Sequence, residues 1–485
     1  MPPSDGLLLL ASSLGIGALV AGAGLLRRQG WTPSATRRLV HVGVCLFVAP
    51  APWLFSAPVP LYVLAAGFVG INAAAKTRGW WPGVHAAKTT SWGTVALPLA
   101  VVPALAATWS VAPERRLLFA AAFLVVGCAD PAAAWIGERT DGPSLTEAAT
   151  LWGSTAFAGS AGLLLSGLLL WGGWPAPRAL SAAAIAAGVA TTVEAISRRG
   201  WDNLTVVVAV LAVLVPLQGP VVTAPTLGLA LLGGGAFGAL AWGVGALNGP
   251  GATAAALFAA TLVGPGGMAW VLPGLAFFVL SSALSALPEA PEGEGPAPTR
   301  RTLRQVMANG GVAWALLLIV GGSPGEAPTL RAACYAGFLG ALAAAAADTW
   351  ATEVGIRYGG APRSLWSGRR VAPGTSGAVT LAGTGAGALG AVAVAAAPLL
   401  VDPTGLAVPS VAHGAGAGLV GMGLDSLAGA TIQAQYRSTE GEGYTEHPSA
   451  PGERPARGWA AVDNDAVNLL GTLGGAAASV VLWTL

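Results

Sequence analysis

The chain alternates, from end to end, apolar runs of roughly 15–25 residues with connectors rich in Pro, Gly and Arg. A helix rises about 1.5 Å per residue, so each such run is long enough to cross a hydrocarbon core of about 30 Å. Inside lipid no water satisfies the backbone amides, which leaves helices as the fold for these runs. About sixteen runs can be counted, eight on each side of a Pro-containing seam at 217–225. The expectation is an all-α polytopic transmembrane protein of about sixteen spans in two modules of about eight, residues 1–220 and 221–485. Only 9% of the residues are charged, against roughly 25% in a soluble domain, and this excludes a solvated globular fold. A formal net charge of +2 gives no reason to expect a nucleic-acid partner.

The connectors carry the orientation signal. With the runs alternating in direction, Arg27, Arg28, Arg37, Arg38, Lys76, Lys88, Arg300, Arg301, Arg304, Arg363, Arg369 and Arg370 fall on one side. Arg115, Arg116, Arg178 and Arg331 disagree, and each stands near a run end where it can snorkel. By the positive-inside rule the basic side is cytosolic, in what we expect to be a prokaryotic cytoplasmic membrane. Every motif below lies on that same side. Cys45, Cys128 and Cys334 sit in apolar runs without CxxC spacing and read as small core residues. The stretch 288–299 reads as a flexible link, and the long polar stretch 432–462 as a lid or a disordered link.

The first module contains Arg37-Arg38-Leu39-Val40-His41-Val42-Gly43, which puts cations and a histidine at a helix start. Asp130 follows in Gly127-Cys128-Ala129-Asp130-Pro131, at the edge of hydrocarbon, where a carboxylate needs a cation or metal partner. The third piece is Glu194-Ala195-Ile196-Ser197-Arg198-Arg199-Gly200-Trp201-Asp202-Asn203-Leu204. Here Asp202 either caps the following helix or joins Asp130 and Glu194 in a metal or base site. In this order the pieces resemble the phytol kinase and dolichol kinase family of membrane polyprenol kinases. The resemblance covers roughly residues 30–217 and implies CTP, or a related nucleoside triphosphate, with Mg²⁺. It implies Asp130 and Asp202 as catalytic residues, Asp130 as a metal ligand, and Arg38, His41, Glu194 and Asn203 as binding residues. The family has a Lys and a Glu before its Gly-Ser pair, where this chain has Ala149 and Trp152; Lys88 is the candidate replacement.

The second module opens with Arg300-Arg301-Thr302-Leu303-Arg304 and the buried amide of Asn309. Its centre is Ala343–Gly377, where Asp348 and Glu353 at the end of an apolar run precede Arg363, Arg369 and Arg370 and the turn Gly374-Thr375-Ser376. Carboxylates can hold Mg²⁺, arginines phosphate oxygens, and a glycine-rich turn can offer N–H groups to an anion. Asp425 and Gln433 follow in the next run, then Asn464, Asp465 and Asn468. Asp465 and Asn468 are three apart and share a helix face. Together Asp348, Asp425 and Asp465, from three helices, suggest a metal and phosphate site. These pieces resemble the integral-membrane family that includes phytyl-phosphate kinases, also designated DUF92, over roughly residues 225–485.

The two resemblances imply a bifunctional isoprenoid-alcohol kinase. The first module would make a prenyl monophosphate and the second the diphosphate, with Mg²⁺ and a nucleoside triphosphate. The bilayer, the alcohol, its monophosphate and the nucleotide are the expected partners. Two alternatives stay open on the sequence: a CTP-dependent lipid cytidylyltransferase, and a transporter of a lipid phosphate or ion.

Overall fold

The computed structural model describes residues 3–78, 91–146, 149–197, 199–219, 222–286, 300–321, 328–372, 375–401, 408–437, 444–446, 448 and 453–485. Lys88, Gly374 and the link 288–299 lie outside the described residues. The chain divides into two compact units, Met1–Gly228 and Leu229–Leu485.

The first unit holds α1 (Pro3–Arg28), α2 (Pro33–Val48), the single turn α3 (Ala51–Leu54), α4 (Val59–Arg78), α5 (Gly93–Ala107), α6 (Arg116–Gly137), α7 (Leu151–Trp171), α8 (Ala176–Ile196) and α9 (Asp202–Gln218). α10 (Ala224–Gly243) begins there and continues into the second unit. That unit adds α11 (Gly249–Gly266), α12 (Met268–Ser285), α13 (Leu303–Val320), α14 (Pro328–Tyr358), α15 (Leu381–Ala396), α16 (Val408–Thr431) and α17 (Asn464–Thr484). Two antiparallel hairpins complete it: β1 (Arg363–Ser364) with β2 (Ala378–Val379), and β3 (Tyr436–Arg437) with β4 (Tyr444–Thr445).

Local chemistry sets many helix starts. The side chains of Thr32, Thr150, Asn248, Thr380 and Asp463 accept an N–H from the first turn of α2, α7, α11, α15 and α17. Thr302 and Gln305 close a capping box on α13.

Among the described residues eleven helices are long and apolar enough to cross a membrane, fewer than the sixteen spans expected. Helices do form at all sixteen runs, but α2, α5, α9, α11 and α16 fall short of that mark. α5 and α9 have 15 and 17 residues, α2 has 16 and carries Arg37 and Arg38, and α16 is diluted by glycines, His413 and Asp425. Leu7, Leu14, Leu163, Leu229 and Leu232 are more than half exposed, a surface that suits only lipid.

In the second unit α14 is the axis, and Ala343–Ala347 are at most 2% exposed. α15, α16 and α17 meet it backbone to backbone. A Cβ on Gly421 would lie 2.5 Å from Ala344 Cβ and 2.5 Å from Gly471 O; one on Gly475 would lie 2.6 Å from Gly340 O. In lipid no hydrophobic drive presses helices together, and small residues give the close van der Waals contact that holds them.

Candidate functional site

The first unit gathers its candidate site residues at one end of the bundle. His41 and Arg37 are one turn apart on α2, and Arg38 neighbours them. His41 Nε2 lies 3.0 Å from the carbonyl of Val126 and 3.7 Å from Asp130 Oδ2. A carbonyl only accepts, so Nε2 carries hydrogen and donates toward α6. Arg38 is ion-paired with Glu138, about two turns beyond the level of Asp130. Asp202 is the first residue of α9, so its carboxylate stands at the helix N-terminus, where the free N–H groups of the first turn favour negative charge. The expected cap therefore takes the form of a helix-end carboxylate, with Trp201 at the cap position. Asp130, Asp202 and Glu194 lie within electrostatic reach of one another, and Glu194 Oε2 is buried without a hydrogen-bond partner among the described residues.

Backbone contacts hold this end together. Asn203 Nδ2 donates to Gly93 O at 3.0 Å, and Trp92 N donates to Arg199 O at 2.6 Å. Gly200, at φ +83°, lies so close to Gly93 that a Cβ would come within 2.6 Å of its Cα. Lys76 donates to Ser91 O at 2.6 Å and sits 4.9 Å over the ring of Trp92.

These groups ring the mouth of a cavity of about 770 Å³. Arg37, Arg38, His41, Lys76, Asp130, Glu138, Asp202 and Asn203 line its polar end. Its walls run inward between α1, α2, α4 and α5 along Val20, Val44, Phe47, Leu61, Leu64, Phe68, Leu97 and Val101. Arg37 stands beside Arg38 in the sequence motif, whereas Lys76 and Glu138 are additions to the candidate binding residues. Their only sequence signal is a charge within a turn of a helix end.

The second unit builds its cluster differently. The carboxylates of Asp348 (α14) and Asp425 (α16) lie against each other, an arrangement that suits a shared proton or a cation between them. The amide of Asn468, oriented to satisfy both neighbours, donates to Asp425 Oδ2 at 3.0 Å and to Asn464 O at 3.2 Å. Asp465 is paired with Arg304 Nε at 3.2 Å, and Arg304 also reaches Asp463 at 2.5 Å. The arginine brought to α17 is thus Arg304, where Arg301 was the expected binder.

Arg301, Glu353, Ser285 and Arg357 form a separate network. Ser285 donates to Glu353 at 2.6 Å, Arg301 lies 3.3 Å from the Ser285 hydroxyl, and Arg357 is ion-paired with Glu353. Burial pushes the Arg301 guanidinium below its ordinary pKa while the Glu353 carboxylate pulls it back up. Five residues along a helix turn about 140°, which separates Glu353 from the face that presents Asp348. Asn309 is half-buried on α13.

The polar stretch 432–462 folds, in its described part, over the end of α16. Ala434 N donates to Val462 O at 2.7 Å and Trp459 N to Ile432 O at 3.0 Å. Glu446, which the sequence did not single out, accepts from both Ser376 and Gln433 at 2.9 Å and lies within electrostatic reach of Asp348, Asp425 and Asp465. A loop glutamate has no periodicity to reveal it. Gly377, at φ +72°, packs against Ser426 and Ala430 of α16, and the Thr375-Ser376 turn follows it there. Arg363, Arg369 and Arg370 are exposed and pair with no carboxylate among the described residues; Arg363 Nη1 donates to Gly368 O at 2.9 Å.

Among the described residues no three His, Cys, Asp or Glu side chains close into a metal-ligand set. Mg²⁺ commonly uses one or two protein carboxylates, with water and substrate phosphate completing its shell. The Asp348–Asp425 contact and the Asp130–Asp202 neighbourhood fit that demand.

Residues 233–476 match the family described as "Integral membrane protein DUF92". A curated relative, "Uncharacterized membrane protein MJ0933" of Methanocaldococcus jannaschii, is 31% identical over 170 residues. That alignment covers 34% of this chain and 66% of the relative. No solved structure matches.

Proposed function

This chain belongs to the DUF92 family of integral membrane proteins, and we propose that it is a two-site phosphotransferase acting on an isoprenoid alcohol. The observation that carries this reading is the first unit's cavity, charged at the mouth and apolar along its length. Its volume is that of a small-ligand site, and its two ends match an alcohol with a long hydrocarbon tail. The hydroxyl would lie at the mouth, beside Asp130 and Asp202, on the side we assign to the cytosol.

In the first step the alcohol oxygen attacks the terminal phosphorus of a nucleoside triphosphate, CTP in the reading favoured by sequence. The new P–O bond forms as the bond to the bridging oxygen breaks and the nucleoside diphosphate leaves; the hydroxyl proton passes to Asp130 or Asp202. Arg37, Arg38 and Lys76 supply positive charge to the phosphate oxygens, and His41, held by Val126 O, fixes the orientation of Asp130. Mg²⁺ would be held by Asp130 and Asp202 here and by Asp348 and Asp425 in the second unit, where it would neutralise phosphate charge. In the second step a monophosphate oxygen is the nucleophile. Asp348, Asp425, Asn468 and Glu446 would surround the reacting group, with Arg304, paired to Asp465, as the cation on α13 and the exposed Arg369 and Arg370 as cations for the nucleotide.

The test is product analysis on the full chain in liposomes with geranylgeraniol or phytol, Mg²⁺ and labelled CTP, ATP, GTP or UTP. The expected products are prenyl mono- and diphosphate with nucleoside diphosphate. Release of pyrophosphate would instead mark a cytidylyltransferase. Flux of a lipid phosphate or ion without nucleotide consumption would mark a transporter, and either result overturns the kinase reading.

A further inference from the structure

We infer that the apolar floor of the first unit's cavity, made by Phe47 and Val48 of α2, Leu61 of α4 and Val101 of α5, sets the longest isoprenoid chain that the site admits. The inference rests on the prenol reading above and adds what selects among prenols.

The geometry gives a depth. On α4 the cavity is lined from Lys76 at the mouth to Leu61, fifteen residues, or about 22 Å at 1.5 Å per residue. On α2 it is lined from Thr36 to Val48, twelve residues, or about 18 Å. A tail entering at Asp130 and Asp202 runs parallel to these helices and ends against the four floor residues. Leu61 is 3% and Val101 6% exposed, so the α4 and α5 side of the floor is closely packed, while Phe47 and Val48 on α2 are half-buried.

The source of the ligand decides how length is read. A prenol leaving the bilayer already has an apolar environment, so burying another isoprene unit in the cavity brings little hydrophobic gain. Length discrimination is then steric. Tails shorter than the cavity bind about equally, and tails that reach the floor are rejected because they must fold back or displace packed side chains. A ruler of this kind gives a sharp upper limit and almost no lower one.

The test uses the full chain in detergent with a series of prenols of two, three, four and five isoprene units. Thermal stabilisation is measured without nucleotide, and phosphorylation is measured separately. Val101→Phe narrows the floor and is expected to lower the upper limit by at least one isoprene unit. Phe47→Ala opens the floor and is expected to raise it. In both variants the change should be largest at the longest prenols and smallest at the shortest. Opposite shifts from two folded variants cannot come from a general loss of structure. An unchanged limit in both variants, or the same fractional loss at every length, overturns the ruler. The two readouts separate the claims. Limits that move in the stability assay without phosphorylation sustain the ruler and sink the kinase, whereas phosphorylation with immobile limits does the reverse.

Discussion

The two units place similar residues at helix ends but space them differently. In the first, Asp130 faces His41 and, with Asp202, borders an open volume of about 770 Å³. In the second, Asp348 and Asp425 touch, and a polar loop bearing Glu446 folds over them. Packing accounts for the second arrangement. Gly421, Gly475 and the Ala343–Ala347 stretch let α14, α16 and α17 approach at backbone contact, which brings their carboxylates together. Along α1 the glycines at 17 and 24 have no atom within 4 Å of an added Cβ, and the space beside them belongs to the cavity. At these positions a glycine means closure beside the second unit's carboxylates and room beside the first unit's cavity.

The largest effects should come from the carboxylates. Asp130→Asn and Asp348→Asn are each expected to reduce one phosphorylation step by about 10³-fold, the scale seen when a charge central to a transition state is removed. The second unit should also show a cost of function. Asp425→Asn can still hydrogen-bond to Asp348 but no longer adds a second acid, so its Tm in detergent should equal or exceed that of wild type while diphosphate formation collapses. A drop in Tm as large as that of a packing mutant would show that the pair is structural.

Next come the glycines. Gly475→Leu should destabilise the protein by about 1–3 kcal/mol through overpacking against Gly340 and Ala344, read as a lowered denaturation midpoint. Gly24→Ala, on the cavity side, should stay within about 0.5 kcal/mol of wild type. Equal losses from both would erase the distinction between closed and open packing.

Much of the helical layout and part of each site were legible in the sequence because polar residues in apolar runs are conspicuous. Asp130, His41, Asp348, Asp425 and Asn468 all stand out that way, and the structure places His41 beside Asp130 and Asn468 beside Asp425. What stayed hidden depends on angles and loops. Glu353 lies near Asp348 in sequence but points to Ser285 and Arg357 because five residues carry it to another helix face. Arg304 and Arg301 are equally basic in the sequence, and only the approach of α13 to α17 distinguishes them. Glu446 comes from a stretch with no periodicity, where contacts alone assign it.

Smaller effects would sharpen the role of the loop. Glu446→Gln should lower diphosphate formation by about tenfold with monophosphate formation unchanged, because the amide oxygen can still accept from Ser376 and Gln433 but the negative charge facing Asp348, Asp425 and Asp465 is lost. Arg369→Ala and Arg370→Ala should raise the nucleotide KM of the second step about threefold to tenfold, leave kcat unchanged and shift stability by less than about 0.5 kcal/mol, as exposed side chains without an ion-pair partner would.

The decisive measurement compares Asp130→Asn, Asp348→Asn and wild type in liposomes supplied first with prenol and then with prenyl monophosphate. Two independent sites predict that Asp348→Asn accumulates monophosphate. They also predict that Asp130→Asn makes nothing from the alcohol but converts supplied monophosphate to diphosphate at the wild-type rate. Loss of both steps in either folded variant, or phosphorylated lipid from neither substrate in wild type, would contradict the assignment of one step to each unit.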